Sequence, residues 1–560
     1  MTLPAHATVA LKALAAALLV TMIAAVPAAQ AARPTAVAAP PLTTTALNLP
    51  FTRNFNPFAP APPYGLTLNG IYEPLYVVSF VAQKQVPWLA TGYSWSKDLK
   101  TLTFTIRKGV RWSDGQPLTP KDVVFSLTMG QKNSAINPAG LWGPAGLATS
   151  VTSSGTTASI HFKTPDVTTF AGIVNNQMIV PEHIWARIPA KSWNTWTNPN
   201  PIGSGPFTQV KEVSSDSYLV GRNPYYWQPL YVPAIRVIGY NGNDPQNLDL
   251  ESGKIDWSGA FIPDADKLCE GKGMGCHHYF STKSVPVMLY FNDAKYPYNL
   301  PAFRQAVSMA LNRLAFDNNA EYGYEPPSHI TGLNGQWANW IDKSVSNAAA
   351  TYDPTAARNM LKKAGFKMQG GHLLDPKGHR VAFDVYVVAG WTDWIAMDQI
   401  ISQNLKVLGI DANPKPLQYG DYFSRESNGR FDATISWSCS GDTPYGFYDG
   451  EAGAEHYRAI GTATTAGCNF ERYTNPRMNT LLEQFRATLD SGQQHALVNQ
   501  MQRIWVQDLP AIPMVIGAQW YEWNPTHYTG WPTQSNYYVQ GSTWAVDRLV
   551  IFPRLRPTGH

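Results

Sequence analysis

A strand, a turn and a helix follow one another between Leu102 and Met129, and any fold for this chain has to accommodate that block. Leu102-Thr103-Phe104-Thr105-Ile106 alternates apolar and polar residues, the period of a half-buried strand, and Asp114-Gly115 signals a turn. Thr119-Pro120-Lys121-Asp122 sets an N-cap residue before a proline whose fixed φ suits the first helical position, predicting a helix through residues 123–129. Further on, Phe303, Ala306, Val307, Ala310 and Leu311 share one 3.6-residue face, predicting a helix over 301–313. Asp353-Pro354 opens another that runs past Leu361, with Gly365 where a left-handed C-cap belongs. Residues 381–388 read as a strand, 394–408 as a helix ending at Gly409, and Ile410 leads into a further strand. Strands alternating with helices over 560 residues predict an α/β protein with more than one sheet, in three to four domain-sized units.

The amino-terminal stretch stands apart from that pattern. Lys12 precedes an apolar run over 13–26 interrupted only by Thr21; Pro27 breaks it, and Ala29-Gln30-Ala31 offers the small residues a signal peptidase reads. The run falls short of the ~20 residues a membrane span needs. Residues 1–31 are therefore expected to be a signal peptide cleaved after Ala31, and 32–47 a flexible leader rich in Ala, Pro and Thr. No Cys follows the run, so no lipid attachment is expected. The four cysteines agree with export: Cys269 with Cys276 and Cys439 with Cys468 form two local pairs, although four cysteines allow three pairings. An oxidising compartment favours disulfides over metal, and the rival cluster Cys276-His277-His278 lacks ligand spacing.

The composition narrows the partners. A net charge of +4 carries no nucleic-acid footprint. Charged residues make up 15% while 19 Trp, 27 Tyr and 22 Phe bring aromatics to 12%, an unusual stock of flat rings. No GxSxG, HExxH, GxxxxGK[ST] or GxGxxG occurs, so no catalytic residue, metal or cofactor is expected.

A series of motifs runs in order along nearly the whole chain: Ile71-Tyr72-Glu73-Pro74-Leu75, Pro87-Trp88-Leu89-Ala90, the block 104–123 with Arg111-Trp112-Ser113-Asp114-Gly115, Gly203-Ser204-Gly205-Pro206-Phe207, Asn223-Pro224-Tyr225-Tyr226-Trp227, Gly253-Lys254-Ile255-Asp256, Arg304-Gln305-Ala306 and Phe431-Asp432. In these the chain resembles extracytoplasmic solute-binding proteins of family 5, the receptors of oligopeptide, dipeptide, nickel and some oligosaccharide ABC importers. The resemblance implies a two-lobed α/β periplasmic-binding-protein fold (type II, cluster C) with an extra domain in the first lobe, monomeric and exported. Its implied division is 48–75 with 204–290 and 520–560 for the first lobe, 76–203 for the extra domain, and 291–519 for the second lobe. Its implied partners are a small-molecule ligand and the permease subunits of an ABC transporter, with no enzymatic step.

The resemblance also nominates ligand contacts. In peptide-binding members the loop after a second-lobe strand carries a Trp and then an Asp that pairs with the peptide's amino terminus; here Trp437 matches and Asp442 comes about two residues late. The Thr443-Pro444-Tyr445 continuation and the tail 528–533 are similar to members that bind β-linked oligosaccharides. An oligopeptide is the first expectation and an oligosaccharide the alternative. Expected contacts are Trp437, Asp442 and Tyr445, faced by Glu73 and Asn54, with Trp391 and Trp394 lining the same cleft.

Overall fold

The structure is a computed structural model that describes residues 39–46, 49–59, 65–79, 84–143, 146–270, 275–438, 443–464 and 468–558. The expected signal peptide, Cys439 and Asp442 lie outside the described residues. Three sheets organise the rest. A seven-stranded sheet has the order His277–His278, Glu522–Trp523, Trp257–Ser258, Leu42–Ala46, Ala234–Gly239, Ser217–Arg222, Phe207–Val213. A five-stranded sheet has the order Asp411–Leu417, Ala382–Val388, Ala433–Trp437, Pro286–Phe291, Ala511–Ile516. A four-stranded antiparallel sheet, Ala90–Trp95, Thr101–Ile106, Thr157–Phe162 and Ala148–Ser154, comes from the segment between.

Local chemistry explains most of these elements. Thr101–Ile106 buries Leu102, Phe104 and Ile106 on one face, as its alternation predicts. Gly115 takes φ +87, and Asp114 Oδ1 accepts the Gln116 N–H at 3.1 Å, which makes the turn. The helix Pro120–Lys132 starts where Thr119 and Pro120 place it, and the Asp122 carboxylate accepts the Thr119 N–H at 2.8 Å. Helix Pro354–Lys363 is capped by Asp353, whose Oδ1 accepts the Ala356 N–H at 2.8 Å, and Gly365 follows at φ +89.

Three expectations are corrected. The expected flexible leader, 32–47, does not hold over Leu42–Ala46, which is a strand paired in parallel with Ala234–Gly239. Its run of threonines suits a pleated surface, and Leu42 is fully buried. The passage into the second lobe comes before residue 286, since Pro286–Phe291, buried along its whole length, lies inside the five-stranded sheet. The helix over 301–313 stops at Ala310: Leu311 turns extended, Asn312 caps a new turn, and Arg313 swings inward to donate to the carbonyls of Pro513, Ser308 and Ala350 at 2.9–3.0 Å.

Cys269 and Cys276 are joined by a disulfide across a sequence separation of 7, tying helix Ala265–Glu270 to the sheet's edge strand. Cys468 is also disulfide-bonded; Cys439, its expected partner, lies outside the described residues. With Cys269 engaged in that bond, His277 packs against Trp523 at 5.3 Å and His278 Nε2 meets Asp266 at 3.0 Å. Replacing Cys269 and Cys276 together by serine should lower the unfolding free energy by about 2–3 kcal/mol, the loop-closure entropy of so short a ring. Urea titrations of the two proteins measure it, and coincident midpoints would show that the bond adds nothing.

Candidate functional site

The chain passes between the seven- and five-stranded sheets at 279–285 and returns at 517–521. These two crossings run antiparallel and bond to each other: Tyr279 N–H donates to Tyr521 O at 3.0 Å, Gln519 N–H to Ser281 O at 2.9 Å, and Gly517 N–H to Val285 O at 3.0 Å. Two paired strands joining two sheets form a hinge, in which a few element-terminal residues absorb rotation.

Beside this hinge lies a cavity of about 620 Å³, walled on one side by Thr44, Val237 and Trp257 and on the other by Trp437, Trp391 and Trp394. Trp437 ends strand Ala433–Trp437 and is 42% exposed. Trp391 is the N-cap residue of helix Thr392–Lys406, and Trp394 falls in its first turn; both are buried. Gly390, at φ +89, turns strand into helix and delivers them beneath Trp437. The ring centroids of Trp391 and Trp394 lie 5.1 and 4.6 Å from that of Trp437. The result is one open indole face on a rigid aromatic base. Trp520, on the returning crossing, and Trp544, half exposed, add further rings to the wall.

The two lobes also touch backbone to backbone at the cavity's edge. Asn243 N–H donates to Gly390 O at 3.0 Å, and Asn243 Nδ2 donates to Asp393 Oδ1 at 3.3 Å. A Cβ on Gly242 would sit 2.8 Å from Gly390 O, and one on Gly390 would sit 2.4 Å from Asn241 O. Both glycines are required by this approach. Burial raises the Asp393 carboxyl to about 6.

Of the expected contacts, the structure brings Trp437, Trp391 and Trp394 together. It places Tyr445, Asn54 and Glu73 elsewhere, and Asp442 lies outside the described residues. Tyr445 is buried in helix Pro444–Ala452, packed on Phe485 at 5.0 Å, with its hydroxyl on Asp449 at 3.1 Å. Asn54 closes a local turn, its Oδ1 accepting the Asn56 N–H at 3.1 Å. Glu73 is fully buried away from the cavity wall, and its Oε1 accepts from Trp88 Nε1 at 2.6 Å, Tyr226 OH at 3.3 Å and Trp227 Nε1 at 3.4 Å. Trp531 of the tail motif is likewise buried, donating to Tyr528 O at 2.8 Å. Trp520, Gln246 and Glu325 line the cavity without any sequence pattern that marks them.

Comparison with known proteins agrees with this geometry. Residues 84–455 match the family model described as bacterial extracellular solute-binding proteins, family 5 Middle. The chain is 25% identical over 529 residues, 85% of each chain, to a probable ABC transporter-binding protein of Deinococcus radiodurans. It is similar to the mannohexaose-bound periplasmic oligopeptide-binding protein of an oligopeptide ABC transporter from Thermotoga maritima, at TM-score 0.86 and 26% identity, covering 93% of this chain and 99% of that one. The oligopeptide-binding protein of Bacillus subtilis in complex with a nonapeptide shares the fold at TM-score 0.77 and 18% identity, covering 92% and 98%. Hinge, inter-lobe cavity and matched motifs together identify the chain as a member of family 5 of the bacterial extracellular solute-binding proteins.

Proposed function

We propose that this protein captures an oligomeric solute between its lobes outside the cytoplasm and presents the closed form to an ABC transporter permease, with no bond made or broken. The clustered indoles of Trp391, Trp394 and Trp437 in the inter-lobe cavity carry the proposal. Ligand contacts that exist only in the closed form shift the equilibrium toward it. Export by cleavage after Ala31 belongs to the same proposal, and amino-terminal sequencing of the secreted protein tests it.

An oligosaccharide suits this cavity best. A pyranose ring offers an apolar C–H face to an open indole, and side-chain amides around it accept hydroxyl protons. The Thermotoga maritima protein, bound to mannohexaose, supports that reading. An oligopeptide is the second reading, favoured by the buried carboxylate of Glu325 in the cavity wall.

Trp437→Ala should weaken ligand binding about ten-fold or more, the loss of one stacked ring. Calorimetry with the tightest binder from a panel of oligosaccharides and peptides measures it, and an unchanged affinity would put the ligand somewhere other than on Trp437.

A further inference from the structure

The cavity wall presents buried hydrogen-bond acceptors that meet no donor among the described residues. Glu325, 3% exposed, receives the Ala518 N–H on Oε1 at 2.6 Å, while its Oε2 has no hydrogen-bond partner. The side-chain oxygens of Gln246 and Gln519, in the same wall, are also unpartnered. Their amide nitrogens are committed elsewhere, Gln246 Nε2 to Ser258 Oγ at 2.7 Å and Gln519 Nε2 to Ser284 Oγ. Those bonds fix both amides with the oxygen left over. Leaving a buried acceptor unmet is costly, so the wall is built for something that donates.

Its charge points the same way. Glu321, close enough for the Glu325 charge to act on it, is fully buried with both carboxylate oxygens unpartnered among the described residues. Burial, and then repulsion from neighbouring carboxylates that include Asp393 and Asp317, pushes Glu321 and Glu325 well above the usual carboxylate range, against the pull of the Ala518 N–H on Glu325, and no lysine or arginine among the described residues offsets it. The remaining cations of the cavity wall are Lys283, which is exposed, and Arg548, whose guanidinium donates to the carbonyls of Thr543 and Leu68. Two rings belong to the same wall: Phe261 and Trp520 meet edge to face at 5.3 Å, and both line the cavity. Ring faces beside a carboxylate favour a cation.

A hydroxyl brings lone pairs as well as a proton. A primary ammonium brings three donors, no acceptor and the missing charge. We propose that Glu325, Gln246 and Gln519, with Trp520, form a subsite for a primary ammonium group on the transported solute. The inference rests on the receptor reading above and narrows it to amine-bearing ligands, whether amino sugars or peptides with a free amino terminus.

Two matched pairs of probes test it: the β-1,4-linked trimers of glucosamine and of glucose, and trialanine beside propionyl-dialanine, which lacks the amine. In at least one pair the amine should bind about ten-fold or more tighter than its neutral twin, the worth of a charge-assisted bond. Which pair shows the gap identifies the source of the amine. In Glu325→Gln, checked for a native unfolding transition, that ratio should collapse toward one. The wild-type protein supplies a second readout. Seating the cation favours the ionised form of a carboxyl that burial holds well above its ordinary range, so amine binding should release protons and strengthen as pH rises. Calorimetry in buffers of different ionisation enthalpy counts those protons; the neutral twins should release none. Equal affinities within both pairs, or an amine advantage that survives in Glu325→Gln, overturns the subsite and leaves the receptor reading standing. Binding of none of the four probes overturns both.

Discussion

Gly242→Ala should cost about 10- to 100-fold in ligand affinity while leaving the ligand-free protein as stable as before. Gly242 has φ 172 and ψ 177, an extended conformation open to any residue, so alanine brings no backbone strain of its own. What it brings is a methyl 2.8 Å from Gly390 O and 3.0 Å from Gly390 Cα, atoms of the opposite lobe's backbone that cannot rotate aside. Overpacking of this kind costs about 1–3 kcal/mol, and here the cost falls on the closed form alone. Each 1.4 kcal/mol is about a factor of ten in affinity. Gly390→Ala is the less informative change, because φ +89 strains alanine whether the lobes are open or shut. Calorimetry gives the affinity and small-angle scattering the shape. An alanine variant that binds and compacts like the parent would mean that the bound lobes do not meet at Gly242 and Gly390.

Glu73→Ala should destabilise the fold by about 3–5 kcal/mol. Trp88, Tyr226 and Trp227 all donate to one carboxylate oxygen in a fully buried setting, and alanine would orphan every donor at once. Glu73→Gln keeps an acceptor and separates hydrogen bonding from charge. Burial raises the Glu73 carboxyl from 4.5 to about 7 against the pull of its hydrogen bonds. Below pH 4.5 the acid is protonated in both folded and unfolded states and costs nothing. As pH rises toward 7 the unfolded chain ionises first, so wild-type stability falls, by about 3 kcal/mol once pH exceeds 7. Glutamine is spared that loss. Urea unfolding at pH 5 and pH 8 should therefore show the glutamine variant gaining on the parent at the higher pH. A gap that does not change with pH would remove the raised carboxyl, and a large drop in ligand affinity would restore Glu73 to the binding site.

These contrasts show where a sequence is legible. Thr119-Pro120, Asp353-Pro354 and Gly365 speak through bonds to residues three or four away, and the elements they announce are present. Trp391 and Trp394 could be placed because a strand-to-helix turn projects them toward the matched loop of Trp437. Glu73 could not, since its neighbours Tyr226 and Trp227 arrive from about 150 residues away and convert a plausible ligand contact into a buried anchor. Glu325 was equally opaque: its meaning comes from Ala518, 193 residues on. Leu311 ended a helix early for a tertiary reason, because Arg313 has backbone carbonyls to reach. Local patterns carry the scaffold, and long-range contacts write the site.

The strand Leu42–Ala46 has a consequence for how the molecule comes into being. It lies in the middle of the seven-stranded sheet, between Ala234–Gly239 and Trp257–Ser258, and that sheet is completed only by Glu522–Trp523 near the other end of the chain. This strand, the first among the described residues, therefore waits for partners made much later, and loop closure over such separations is slow. A chain that must thread through a translocation channel before folding is served by that delay. Under the export proposed above, the topology postpones completion of this sheet until nearly all of the polypeptide has passed.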